Sequence, residues 1–170
     1  SKIVSKYTEP KKLKQEKWDE FAILPVNFPF LAFLRGGGDL FVLCLRCPVS
    51  DYWDKELHKR GEAGINEWKE RGYVEYYDLE GKAHKLNYSF IEDFSKNNGY
   101  EAAKKIKIPT IIVHGDADDV VPVAQSRNLA KTIKASRLEI IKGADHNFSR
   151  ESDFKKSVSL VAEFIMKNCD

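Results

Sequence analysis

Residues 109 to 122 read PTIIVHGDADDVVP, and this stretch decides the fold that we expect. Its first half has an apolar run at its centre, Ile111 to Val113, and ends in the turn glycine Gly115, which is typical of a strand buried in a parallel sheet. Pro122 then lies in the first turn of a predicted helix that continues to Lys134, because proline is well tolerated where a helix starts. The stretch therefore predicts a buried strand, a short acidic turn and a helix.

The alternation of strand and helix continues on both sides of this stretch. A strand over 138–141 and a final helix follow it, and Leu40 to Leu45 is a second unbroken apolar run that precedes it. The final helix has apolar residues on one face at three-to-four-residue spacing, namely Phe154, Val158, Val161 and Ile165. Strands and helices in this order predict an α/β protein with a mainly parallel sheet.

Residues 51–105 interrupt the pattern and are more polar than a core. An amphipathic helix around Trp68 is predicted to end at Gly72. Segments 73–77 and 82–86 flank the turn signal Glu80-Gly81, which predicts a hairpin with His84 exposed on it. Two short helices, over 90–94 and 100–105, lead back to the main pattern. We expect an insertion here.

Composition limits the partners and the compartment. The chain is 42% hydrophobic with a net charge of +2, so we expect one globular domain without a nucleic-acid partner. The basic run at 11–17 is interpreted as a solvated face. The apolar segment Phe21 to Leu34 is too short and too proline-rich to span a membrane, and no secretory signal is indicated. Three cysteines, an odd number, favour the reducing cytoplasm.

Two residues at predicted strand ends could do chemistry together. Asp118 follows one strand and His146 follows the next, and loops at the carboxyl ends of parallel strands meet at one edge. A carboxylate that accepts the imidazole N–H fixes its tautomer and stabilises the imidazolium formed in base catalysis. Taken alone, Asp118 and Asp119 could instead cap the helix near Pro122, and His146 could be an ordinary surface residue.

The two motifs resemble those of a known family. HGDADDVVP at 114–122 resembles the HGxxDxxVP pattern around the acid of α/β-hydrolases, and GADHNFS at 143–149 is similar to their histidine turn. The resemblance selects Asp118 over the rival acids Asp116, Asp119 and Asp145. It implies ester or small-amide hydrolysis in which Asp118 orients His146 as general base, with no cofactor and no metal ion.

The resemblance also implies a domain layout, from about Asp39 to the C-terminus. Residues 39–50 and 106–170 would form a partial α/β-hydrolase core, and residues 1–38 an atypical N-terminal segment. The sequence RCPVSD at 46–51 resembles the strand end before the lid of esterases and serine aminopeptidase-like members. By this analogy 51–105 is a small helical and hairpin lid.

The front half of the family pattern is not recognisable. A family member carries a GxSxG turn before the strand placed at 40–45, yet no serine or threonine occurs from Glu9 through Val49. The glycines at 36–38 are interpreted as a turn, and Ser50 as a turn cap. Cys44 and Cys47 are three apart, so on one strand they would point to opposite faces as buried structural residues without a shared disulfide or metal. We therefore expect an inactive or truncated hydrolase.

Two alternatives remain open. The chain could be a non-catalytic binding module that forms a homodimer through Phe21 to Leu34, since an exposed apolar strand edge invites pairing. A separate polypeptide could also supply the missing front half and its serine. If the chain is active, its partner is a small ester or amide substrate.

Overall fold

The computed structural model describes residues 30–35, 39–78, 80–95 and 99–168. Six strands and five helices occur in these ranges. In chain order they are β1 (Phe30–Arg35), β2 (Asp39–Arg46), α1 (Tyr52–Arg71), β3 (Tyr73–Tyr77), β4 (Ala83–Asn87), α2 (Ser89–Ser95), α3 (Gly99–Ala103), β5 (Thr110–Gly115), α4 (Val123–Thr132), β6 (Ser136–Ile141) and α5 (Glu151–Asn168). The basic run at 11–17, residues 21–29 of the apolar segment and the glycines at 36–38 lie outside the described residues.

The main sheet has four strands in the order β1-β2-β5-β6. β2, β5 and β6 are mutually parallel, and β1 pairs with β2 in the antiparallel direction. Every residue of β5 is buried, as its apolar run predicted. The expected α/β class with a mainly parallel sheet is therefore confirmed, and the described part of the 21–34 segment pairs with β2 of the same chain.

Alternation along β5 divides the core between the two faces of the sheet. Ile111 and Val113 pack in a cluster that includes Phe164 of α5. Ile112, between them, packs in a second cluster with Leu129 of α4. Successive strand residues point to opposite faces, so α5 covers one face, and α4 together with Ala103 of α3 covers the other. Burying each of these isoleucines contributes about 1.5–3 kcal/mol.

Residues 51–105 build a small substructure with its own core. α1 ends at Gly72, whose left-handed conformation (φ 80°) lets its N–H bond the Trp68 carbonyl at 2.9 Å. β3 and β4 form the predicted hairpin, the second strand beginning one residue later than expected. Ile65, Trp68 and Ile91 form a buried cluster beside it. None of the helices in the described ranges is long and apolar enough to cross a membrane.

His84 does not match its prediction. We expected an exposed side chain, but the imidazole is half-buried. Its Nε2 lies 2.6 Å from a carboxylate oxygen of Asp78, and its ring stacks on Tyr76 with centroids 5.3 Å apart. The facing strand and the turn thus cover a side chain that strand alternation alone places on an open surface.

Candidate active site

Two loops at the carboxyl edge of the sheet form the site. The acid loop, residues 116–122, follows β5, and the histidine turn, residues 143–149, follows β6. The Ala117 N–H donates to the Ala144 carbonyl at 3.0 Å, and the Asp116 N–H lies 3.3 Å from the Ile141 carbonyl. These backbone bonds hold the two loops side by side.

Gly115 explains why the loops can approach so closely. A Cβ at this position would lie 2.1 Å from the Ala144 carbonyl oxygen, well inside van der Waals contact. Its φ is not among the positive values found at other glycines, so the requirement is space and not backbone conformation. The glycine of the HG dipeptide is therefore part of the construction of the site.

The loops bring Asp118 and His146 together as the sequence predicted. The Oδ2 atom of Asp118 accepts from Nδ1 of His146 at 2.8 Å. The Asp118 side chain is fully buried, whereas 27% of the His146 side chain is exposed. With Nδ1 carrying the proton shared with Asp118, Nε2 of neutral His146 is left as an acceptor. This geometry orients the imidazole; the catalytic role of the pair stays a prediction.

The Asp118 carboxylate is held by several N–H donors. Its Oδ1 atom accepts from the backbone N–H groups of Val120 at 2.9 Å and Val121 at 2.8 Å. Burial would raise the pKa of Asp118, but hydrogen bonds from His114, His146 and the two backbone groups outweigh it and hold the pKa well below its usual range. Asp118 is therefore an anion throughout the physiological pH range.

His114 is a contact to the acid that our sequence analysis missed. Its side chain is fully buried, and its Nε2 lies 3.0 Å from Oδ2 of Asp118 and 3.1 Å from the Val121 carbonyl. Both neighbours are acceptors, so Nε2 carries the hydrogen. Nδ1 lies 2.6 Å from the Ser126 hydroxyl on α4. The signal was present, since His114 opens the HGxxDxxVP motif, but we assigned it only to the strand.

The three rival acids either accept hydrogen bonds from backbone N–H groups of the histidine turn or are exposed to solvent. Asp116 accepts from the Gly143 N–H and so ties the acid loop to the histidine turn. Asp145 accepts from the N–H groups of Asn147 at 3.0 Å and Ser149 at 2.9 Å within its own turn, which lowers its pKa. Asp119 is exposed. The choice of Asp118 as the partner of His146 therefore agrees with the geometry.

Cys47 lies beside the pair, which corrects our argument from strand geometry. Cys44 and Cys47 are buried, as expected, but they belong to the same core cluster and do not point to opposite faces. β2 ends at Arg46, and Cys47 has a φ of 43°, so strand alternation does not apply to it. Burial raises the pKa of Cys47 to about 12, with the charge of Asp118 and a hydrogen bond to it adding to the effect. Cys47 is therefore a protonated thiol, not an activated nucleophile.

Gln125 of α4 joins the site to the start of α1. Its Oε1 atom accepts from the N–H groups of Ser50 at 2.8 Å and Asp51 at 3.0 Å. Its Nε2 atom donates to the Asp51 carbonyl and to Asp54, both at 2.8 Å. The N-cap of α1 is Asp51, which accepts from the Asp54 N–H, and the expectation that Ser50 caps a turn stays a prediction. Nothing in the sequence singled out Gln125.

Comparison with known proteins places this arrangement in a family. The model of the serine aminopeptidase S33 family matches residues 96–153, which include both loops. The non-heme haloperoxidase of Rhodococcus erythropolis is 34% identical over 119 residues, which cover 69% of this chain and 34% of that protein. The mouse monoacylglycerol lipase ABHD6 is 31% identical over 81 residues, or 48% of this chain and 24% of the lipase. The structure of mouse alpha/beta hydrolase domain-containing protein 10 superposes with a TM-score of 0.58 at 20% identity, covering 75% of this chain and 52% of that one.

The chain belongs to the α/β-hydrolase superfamily. The sequence motifs, the sheet topology and the similarities to these proteins agree on this assignment. The match spans about a third of the length of the haloperoxidase and about half of the superposed mouse structure. This partial coverage agrees with the expectation that the chain corresponds to the C-terminal half of the family fold.

Proposed function

We propose that this chain carries the acid and the base of a hydrolytic site for carboxylic esters or small amides. The observation that supports the proposal best is the 2.8 Å bond from His146 Nδ1 to Asp118 Oδ2. In such a site His146 Nε2 takes the proton of a nucleophile, and Asp118 stabilises the imidazolium that results. The curated relatives include a monoacylglycerol lipase, whose name indicates ester hydrolysis.

The nucleophile of this reaction lies outside the residues from Glu9 through Val49, which contain no serine or threonine. We propose that the 170 residues alone have no hydrolytic turnover, and that a polypeptide segment beyond them carries the serine. Without a nucleophile the pair cannot form an acyl-enzyme, which is the intermediate that makes the reaction fast. We thus propose that the chain is a truncated hydrolase, and we also propose that it is located in the cytoplasm.

We further propose that residues 51–105 form a lid over the acyl pocket. Two features support this. The segment has its own small core, formed by Ile65, Trp68 and Ile91. It also enters and leaves the main body close to the site, since Gln125 holds its start against α4 and the Gly99 N–H donates to the Ser50 carbonyl at 3.0 Å.

The test uses a fluorophosphonate probe, which labels activated serines, together with p-nitrophenyl acyl esters. For the isolated chain we expect no labelled residue and the same ester hydrolysis by wild type and His146→Ala. In the native source, we expect the probe to label a serine that co-purifies with this chain, and the His146→Ala replacement to abolish that labelling. A labelled serine within the 170 residues would refute the assignment of the nucleophile. Labelling that survives His146→Ala would remove His146 from the mechanism.

Homodimerisation through the 21–34 segment stays a separate prediction. The described part of that segment pairs with β2 of the same chain. Light scattering at micromolar concentration measures the molar mass and so distinguishes a monomer from a homodimer. The molar mass of a monomer would contradict this prediction.

A further inference from the structure

Cys47 has no role in the proposed hydrolysis, yet its thiol lies among the groups that form the pair. Its backbone N–H donates to the Val113 carbonyl at 2.9 Å, which extends the β2–β5 pairing by one residue. The positive φ then turns the chain and directs the thiol towards the acid loop. There the Gly115 N–H donates to the sulfur, and the thiol donates to the Asp118 carboxylate.

Three types of ligand atom converge at this point. The sulfur of Cys47, a carboxylate oxygen of Asp118 and a ring nitrogen of His146 all lie within 4.8 Å of one another. Within the described ranges this is the one cluster of three or more cysteine, histidine or acidic side chains that is close enough to share an ion. It differs from the C-x-x-C pair considered from the sequence, because Cys44 is not part of it.

We propose that Cys47, Asp118 and His146 bind one thiophilic divalent ion of the Zn²⁺ type. A thiolate and a carboxylate together supply two negative charges, and sulfur with imidazole nitrogen is the donor combination that zinc prefers over magnesium or calcium. The partly exposed His146 side chain gives the ion a route from solvent, and three protein ligands leave a fourth position for water.

The rearrangement that binding needs is small. Tetrahedral zinc bonds of about 2.0–2.3 Å place neighbouring ligand atoms roughly 3.3–3.6 Å apart. The widest separation in the cluster, which is at most 4.8 Å, therefore closes by at most about 1.5 Å, and the Asp118–His146 contact opens from 2.8 Å by about half an ångström. The ion displaces the thiol proton and the proton between Asp118 and His146, as metal binding generally does.

Binding has a consequence for the proposed hydrolysis. While the ion occupies the cluster, Asp118 no longer accepts the N–H of His146, so the imidazole loses the partner that orients it. The ion would therefore inhibit the acid–base pair. This consequence rests on the proposed function, whereas the binding itself does not.

The experiment titrates Cd²⁺ into the reduced, full chain and follows the ultraviolet charge-transfer band of cadmium thiolate. We expect a band that saturates at one equivalent, that Zn²⁺ displaces and that Mg²⁺ leaves unchanged. Cys47→Ser should abolish the band, and the matched controls Cys44→Ser and Cys169→Ser should retain it. A missing band, a band that survives Cys47→Ser, or one that disappears in either control would overturn the proposal.

A second variant covers the case in which Cys47→Ser does not fold, as judged by circular dichroism. His146→Ala keeps the thiol and changes a side chain that is partly in solvent. The affinity for Cd²⁺ should fall at least about tenfold, which is the loss seen when even a hydrogen-bond partner of a metal ligand is removed. Unchanged affinity in His146→Ala would contradict the site. Because the readout is absorbance, the result is independent of any hydrolytic activity.

Discussion

Replacing Gly115 by alanine should destabilise the chain more than replacing Gly81, although only Gly81 has a backbone conformation that disfavours side chains. A Cβ at Gly115 would lie 2.1 Å from the carbonyl oxygen and 2.6 Å from the carbonyl carbon of Ala144. These atoms belong to the backbone, so the histidine turn must move by about 1 Å to restore ordinary contact. Such overpacking costs about 3 kcal/mol, and the stretched Ala117–Ala144 bond adds about 1 kcal/mol.

Gly81 is the control for this reasoning. Its φ is 80° and nothing lies within 4 Å of its would-be Cβ, so alanine there costs only the left-handed conformation, about 1–2 kcal/mol. Both replacements gain about 0.4–1 kcal/mol because alanine restricts the unfolded chain. The net losses are then about 3 kcal/mol for Gly115→Ala and about 1 kcal/mol for Gly81→Ala. Urea unfolding followed by tryptophan fluorescence measures both, and equal losses, or a larger loss at Gly81, would refute the close approach of the two loops.

Three further outcomes follow from the same contacts. Gln125→Met should lower the free energy of unfolding by about 2–4 kcal/mol, because it leaves two N–H groups before α1 without an acceptor. The control Lys131→Met, on the exposed side of α4, should change the free energy of unfolding by less than about 0.5 kcal/mol. The lowered pKa of Asp118 stabilises the fold fully above the unfolded-state pKa of about 3.9 and progressively less as the pH falls below it. Urea titrations at neutral and acidic pH should therefore show a smaller loss on acidification for Asp118→Asn than for wild type. His114→Phe should cost about 2–4 kcal/mol by thermal or urea unfolding, because it removes a buried donor from the carboxylate, and a neutral effect would show that this contact is dispensable.

Much of the fold could be predicted from the sequence because local patterns and tertiary structure agree there. The apolar run before Gly115 became a strand with every residue buried, and the glycine at position 72 ended α1 as its type of cap requires. The meeting of Asp118 and His146 followed from the rule that loops at the carboxyl ends of parallel strands share one edge. In each case a short stretch of chain and one topological rule were sufficient.

The remaining features depend on contacts between distant parts of the chain. Gln125 is an ordinary polar residue of a helix until the start of α1 packs against it, 75 positions from Ser50. The position of the Cys47 side chain was predicted wrongly from strand alternation, because the backbone changes conformation at Cys47, directly after β2 ends. His114 was visible only as a strand residue, and its bond to Asp118 requires the acid loop to fold back on β5. Local sequence patterns do not predict such contacts between distant parts of the chain.

The most direct test of the central claim is the hydrogen bond between Asp118 and His146 in solution. Proton NMR at low temperature detects an imidazole N–H that is shared with a buried carboxylate as a resonance far downfield. We expect wild type and the control Asp119→Asn to show the His146 resonance and Asp118→Asn to lack it. His146→Ala identifies this resonance by losing it while keeping any resonance of the His114 N–H that contacts the same carboxylate. If the resonance is missing in wild type, or if it persists in Asp118→Asn, the two residues do not form the acid–base pair on which the proposed function rests.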